Sequence, residues 1–265
     1  MQQAVGHIDP LSLHTDGISI RIALFPLRNA RRMGNQEVQQ SPREGALIIF
    51  NDLERGYEAQ YESWYNREHL PDRVKLPGFR SGRRYARVLG SGGRSYLAWY
   101  TTEDVSALSS PDYIAALSAP TKATGEIAPR MFNAVRGAYV SHVIRGEGHG
   151  GALLAWLRPE PLQGLDDLVD RIVGDPTVIA LRALVGDAEA TRAKDTTSEG
   201  KLASTPAWPG AWILLVETTT PEAAEQVRRL IVTDRDGTSA SNDSFAVYRL
   251  LHDLRHDEVK DAREG

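Results

Sequence analysis

The sequence predicts an α+β fold in which two ferredoxin-like β-α-β-β-α-β repeats pair into one α+β barrel. Three observations carry this reading. Short apolar runs that alternate with period two are interleaved with amphipathic stretches of helical period, in the same order in both halves of the chain. Glycine and proline clusters punctuate the runs where turns are required. Finally, a sheet with helices on only one face must bury the other, and two such sheets facing each other form a barrel with an internal cavity.

The elements follow in order. Residues 1–44 read as a poorly ordered N-terminal extension; its polar end, 33–44, lacks periodicity and carries Gly34 and Pro42. Gly45–Asn51 is an apolar strand. Tyr57–Leu70 has helical periodicity and is expected to end at Pro71, which has no N–H to donate. Phe79–Leu89 and Ser95–Thr101 alternate on either side of Gly90-Ser91-Gly92-Gly93, a hairpin loop. Glu103–Leu117 is a second helix, interrupted at Ser110-Pro111. A short helix near Thr124–Phe132 precedes the fourth strand, Ala134–Ile144. These elements make the first repeat, residues 45–146.

The second repeat, 150–253, runs Ala152–Leu157 (strand), Gly164–Val173 (helix), Thr177–Val185 and Ala211–Glu217 (strands), Pro221–Ile231 (helix) and Ser244–His252 (strand). Proline in the first turn of that last helix costs no hydrogen bond. A polar insertion, Asp187–Pro209, replaces the short glycine loop of the first repeat and reads as a mobile ornament. Residues 254–265 form a charged, frayed tail. The parallel order implies a tandem duplication.

Bulk composition excludes several functions. The 265 residues carry a net charge of −4, so no basic field exists to hold nucleic acid or an anionic membrane. The absence of cysteine removes disulfides, thiolate nucleophiles and Cys-type metal sites. No apolar run reaches the length of a membrane span, and Asp9, His14, Asp16 and Arg21 interrupt any secretory core, so the expected location is the cytoplasm. No histidine spacing matches a closed metal site. The glycine cluster at 90–93 is not followed by a helix, so it is no phosphate cradle.

The unusual chemistry is concentrated in residues 61–85. Tyr61, Trp64, Tyr65 and Glu68 share one sector of a helix, as core or as the wall of a pocket. His69 follows, an imidazole able to exchange a proton near neutral pH; it either shuttles a proton, binds a haem iron, or caps the helix end and bonds the turn. On the next strand, alternation points Phe79, Ser81, Arg83 and Tyr85 one way and Arg84 the other. Facing the cavity, Arg83 and Tyr85 would polarise an anionic substrate oxygen. Trp99 and Tyr100 lie on opposite faces of the third strand, so one large aromatic points inward in either register.

Trp64-Tyr65-Asn66-Arg67-Glu68-His69-Leu70-Pro71, with Pro77-Gly78-Phe79 and Arg84-Tyr85, resembles the EthD-like branch of the dimeric α+β barrel superfamily over residues 46–144. The second repeat has none of these motifs. The resemblance implies a small-molecule enzyme: a cofactor-independent lyase, isomerase or cyclase, or a monooxygenase, acting on an aromatic or polyketide-like substrate in the barrel cavity. His69 and Tyr85 would be catalytic, with Tyr61, Trp64, Tyr65, Phe79, Arg83, Arg84 and Trp99 binding the substrate. The alternatives are a non-catalytic ligand-binding or assembly barrel, and a haem protein. The chain is expected to be a monomer with an intramolecular barrel, or a homodimer formed at exposed sheet edges.

Overall fold

The computed structural model describes residues 44–90, 93–158, 164–202, 212–233 and 245–259. The expected extension before residue 44 and the end of the tail after residue 259 lie outside the described residues, as do residues 203–209 of the insertion. The first half contains strand β1 (Gly45–Leu53), helices α1 (Glu58–Trp64) and α2 (Leu70–Val74), strands β2 (Phe79–Leu89) and β3 (Tyr96–Thr102), helices α3 (Pro111–Ser118) and α4 (Lys122–Ile127), and strand β4 (Met131–Gly146). The second contains β5 (Ala152–Arg158), α5 (Leu165–Val173), β6 (Val178–Asp187), α6 (Ala188–Arg192), α7 (Ser198–Leu202), β7 (Trp212–Thr218), α8 (Pro221–Thr233) and β8 (Phe245–Arg255). Among the described residues no helix is long and apolar enough to cross a membrane.

The strands close into one antiparallel barrel in the order β1-β3-β2-β8-β5-β7-β6-β4. Each half has the same internal order, β4-β1-β3-β2 and β8-β5-β7-β6. The halves join where β2 pairs with β8 and β4 with β6. The barrel is therefore intramolecular, as the two-repeat reading required. Among the described residues it has no unpaired edge strand, so the exposed edges expected to invite a second chain are closed.

Period-two alternation sorts the side chains into three apolar layers. Ile48, Phe50, Leu97, Trp99, Leu153, Leu215 and Tyr248 point inward and fill the barrel. The first-half helices pack on the outer face over Leu47, Ala98 and Tyr100. The second-half helices pack over Leu154, Leu181, Leu214 and Val216. An eight-stranded barrel has an interior just wide enough for side chains. Where an internal cavity was expected, these apolar side chains pack against one another.

The helix entering the signature motif does not stop at Pro71. It continues from α1 to α2 through a π-helical turn, Tyr65–His69, in which the Leu70 N–H reaches back five residues to the Tyr65 carbonyl. A proline inside an α-helix leaves one carbonyl without its donor and crowds it. Widening the turn just before the proline accommodates both defects. The chain leaves α2 through Gly78, whose φ of 81° favours glycine. Gly82 on β2 lets α2 approach closely: a Cβ there would lie 2.6 Å from Leu70 Cδ1 and 2.8 Å from Val74 Cγ2.

The insertion is no loose ornament where it is described. Asp187 caps α6 by accepting the Glu189 and Ala190 N–H groups, at 3.0 and 2.9 Å. Ala190 joins the apolar layer of the first half. β8 extends beyond the expected strand end to Arg255, and His256 Nδ1 lies 2.7 Å from the Val74 carbonyl, tying the start of the tail to α2.

Candidate functional site

The cavity that His69 reaches lies outside the barrel, between the first-half sheet and its helices. Its floor is Leu47, Ile49 and Tyr100; its walls are Trp64, Tyr65, His69 and Arg73 on one side and Tyr113, Leu117, Thr124 and Arg136 on the other. Lys194, Glu199 and Gly200 of the insertion close it. Its volume is about 80 Å³, roughly half that of an engineered cavity that takes a benzene ring. A space of this volume holds a molecule of only a few non-hydrogen atoms.

The π turn sets the local geometry. It places Trp64 and His69, five residues apart, one above the other, with ring centroids 4.4 Å apart; Tyr65 meets His69 edge-on at 5.1 Å. In an α-helix, residues five apart diverge. Trp64 is anchored by donating its Nε1–H to Thr124 Oγ1 at 3.1 Å. Tyr65 and Tyr100 bring their hydroxyls to 3.5 Å. His69 is 8% exposed, and its ring nitrogens have no hydrogen-bond partner among the described residues. It neither caps the helix nor bonds the turn. Burial, reinforced by the charges of Arg73 and Arg84, holds its pKa well below the ordinary imidazole range, so the ring is neutral.

Around it stand charged groups that the sequence did not single out. Arg73 pairs with Glu199, linking α2 to α7 of the cap. Arg136 donates to the Thr191 carbonyl at 3.0 Å and to the Tyr113 hydroxyl at 3.1 Å. Burial pushes the Glu199 carboxyl up despite Arg73, and burial with Arg136 pushes the Lys194 amine down. None of these residues lies in the 61–71 motif. Arg73, two residues past Pro71, had one available signal: its place on the helix once that helix is known to continue.

The remaining motif residues divide between the two faces of the sheet. Tyr61 is buried beside the cavity but does not line it; its hydroxyl donates to Asn51 Oδ1 at 3.1 Å. Arg84 is an anchor. It grips both Glu62 oxygens at 2.8 and 3.1 Å, bonds Asn66, and lies 4.3 Å over the Tyr65 ring, so it fixes α1 to β2. Phe79 sits in the helix layer against Tyr100 and Tyr113. It does not share a face with Arg83 and Tyr85, because a bulge between Phe79 and Ser81 shifts the register by one residue.

Arg83, Tyr85 and Trp99 point into the barrel, with the sheet between them and His69. The expected His69–Tyr85 pair therefore does not form. Arg83 is 0% exposed and pairs with Glu217 of β7 at 2.6 Å, its guanidinium 3.9 Å over the Trp99 ring. Glu217 also accepts the Gly150 N–H at 2.8 Å. Nδ1 of His149 lies 2.8 Å from Arg83 Nη1. The same nitrogen lies 3.6 Å from Glu217 Oε1, and Nε2 lies 3.9 Å from Asp253 Oδ2. Burial alone would raise the Glu217 carboxyl; its contacts with His149, Arg83 and the Gly150 N–H outweigh burial and hold it below the usual range. This ion pair joins the halves from inside and serves the barrel.

No protein-family model and no curated protein sequence matches the chain. Solved structures do. An anthrone oxidase-like protein superposes over 84% of this chain and 97% of its own, with a TM-score of 0.54 and 13% identity. A monooxygenase-like protein from Listeria innocua covers 79% of this chain and 95% of its own at a TM-score of 0.38 and 8% identity. A chlorite dismutase variant from Candidatus Nitrospira defluvii covers 82% and 93% at 0.45 and 10%. What the chain shares with the anthrone oxidase-like protein is the fold, an α+β barrel.

Proposed function

We propose that this chain is a small-molecule enzyme of the EthD-like α+β barrel kind, with its active site in the helix–sheet cavity and His69 as the proton-transfer group. One observation carries the reading: a buried, neutral imidazole faces the cavity with no hydrogen bond among the described residues to occupy it. Such a nitrogen is free to take a proton from an activated C–H of the substrate, as a base weakened by burial and by the Arg73 and Arg84 charges. This leaves a carbanion or enolate whose negative charge stabilises the adjacent imidazolium. The imidazolium then returns the proton at another carbon of the enolate, or the enolate carbon closes a ring on an electrophilic carbon of the same molecule, or the enolate meets dioxygen; these are the isomerase, cyclase and cofactor-independent monooxygenase outcomes. Trp64 and Tyr65 provide the apolar wall, and the Tyr65–Tyr100 hydroxyl pair supplies donors for the developing oxyanion. The name of the superposing anthrone oxidase-like protein agrees with oxidative chemistry on a small molecule.

The closed cavity favours a compact substrate, and a polyketide-sized ring requires the α6–α7 cap to lift. The same volume argues against haem, since a porphyrin would have to displace Trp64 from the face of His69. A purely structural barrel is the weaker alternative, because it gives the unpartnered imidazole no purpose. The test is hydrogen–deuterium exchange at carbon in D2O, followed by NMR over a panel of small enolisable ketones and phenolic ketones. His69→Ala and His69→Gln should lower the exchange rate by at least about 100-fold while the circular dichroism spectrum is kept. Equal rates for wild type and both variants would end the assignment.

A further inference from the structure

The charges around the cavity do not balance. Three cationic side chains line it, Arg73, Arg136 and Lys194, against the single carboxylate of Glu199. Glu199 is committed to Arg73. Arg136 is 6% exposed, always charged, and its partners are a carbonyl and a phenol, both neutral. Lys194 is 5% exposed, and its amine makes no hydrogen bond or salt bridge among the described residues; the adjacent Asp195 is exposed and forms no close ion pair with it. Arg136 and Lys194 feel the Glu199 carboxylate only at a distance, and a buried guanidinium and amine with no carboxylate bonded to them are costly.

We propose that Arg136 and Lys194 form an anion subsite of this cavity, and that its ligand is a small organic acid whose carboxylate sits between them. The ligand supplies the missing negative charge, and both groups supply charge-assisted donors that no protein carboxylate uses. Lys194 comes from the second half of the chain and Arg136 from the first, so the subsite is complete only when the cap is closed. The cavity volume sets the class: a two- to four-carbon acid fits the closed form. The inference rests on the active-site reading in its location alone, and concerns binding rather than turnover.

The full-length protein is titrated calorimetrically with acetate and with pyruvate, and in parallel with acetamide, the neutral isostere of acetate. The acids should bind saturably and acetamide at least about tenfold more weakly, the discrimination expected of a charge-assisted hydrogen bond. Lys194→Met should cost at least about tenfold in acid affinity and raise the melting temperature of the ligand-free protein, because it removes a buried group that has no partner. Arg136→Met should cost at least as much affinity. Equal binding of acetate and acetamide, no binding of either acid, or full acid affinity in Lys194→Met would overturn the proposal. Discriminating acid binding without any carbon-proton exchange would instead leave the subsite standing and remove the enzymatic reading.

Discussion

Replacing Glu217 by Leu should be among the most damaging single changes in the chain. The carboxylate is 1% exposed and faces Arg83, itself 0% exposed, at 2.6 Å. Its removal leaves the guanidinium with only the longer contact to Asp253, 3.9 Å from Nε, and breaking a buried pair in this way costs about 3–5 kcal/mol. The Gly150 N–H, bonded to Glu217 at 2.8 Å, also loses its acceptor. At about 2–4 °C per kcal/mol for a domain of this size, the melting temperature should fall by about 6–20 °C. Urea denaturation would show the same loss as a lower midpoint with an unchanged slope. The double replacement Arg83→Met with Glu217→Leu should recover most of the loss, since the buried charge goes with its partner. The carboxyl is held below its ordinary pKa in the fold, so its contribution is fully present above the unfolded value of about 4.3 and fades as pH falls through the folded one. A loss below about 1 kcal/mol for Glu217→Leu, or a double variant no better than the single, would refute the account.

Four other outcomes are expected. Because His69 is held neutral, the acid limb of the exchange rate should lie well below pH 6.5; a limb at or above that value would show a solvated imidazole. The same shift means that the unfolded chain takes up a proton the fold resists, so stability should drop as pH falls below about 6.5, a slope that His69→Gln should flatten. Gly82→Ala places a methyl 2.6–2.9 Å from Leu70, Val74 and Tyr100, and should destabilise by about 1–3 kcal/mol in chemical denaturation. Thr191→Val deprives the buried Ala138 N–H of an acceptor at 2.9 Å; it should cost about 1–3 kcal/mol and speed amide exchange across 188–202.

The fold was legible because strand alternation and turn residues are local signals. Each expected strand is present, with its ends moved by a few residues, and Trp99 and Tyr100 divide between the faces as alternation requires. The site was legible only in part. Trp64, Tyr65 and His69 line the cavity together, since all three lie on one helix. Phe79 went to the wrong face because a bulge is invisible in a hydrophobic pattern. Tyr85 and Arg83 point into the barrel, whereas the cavity that His69 lines is behind the sheet. Helix termination at Pro71 failed because the π turn absorbs the proline. Arg136, Lys194 and Glu199 could not be found from spacing: they reach the cavity through tertiary packing, two of them from a segment far along the chain.

That long-range contribution follows from how the barrel is closed. In a barrel made of two identical chains, every alteration is echoed on the far side, and whatever covers one cavity must be copied over the other. Here both sheets belong to a single covalent chain, with β2 sealed to β8 and β4 to β6. A change on one side is felt once. The half that lacks the Glu-His-Leu-Pro signature is free to become a servant of the other, lending α6 and α7 as a roof. On the proposed function, the molecule has one working face and one supporting face.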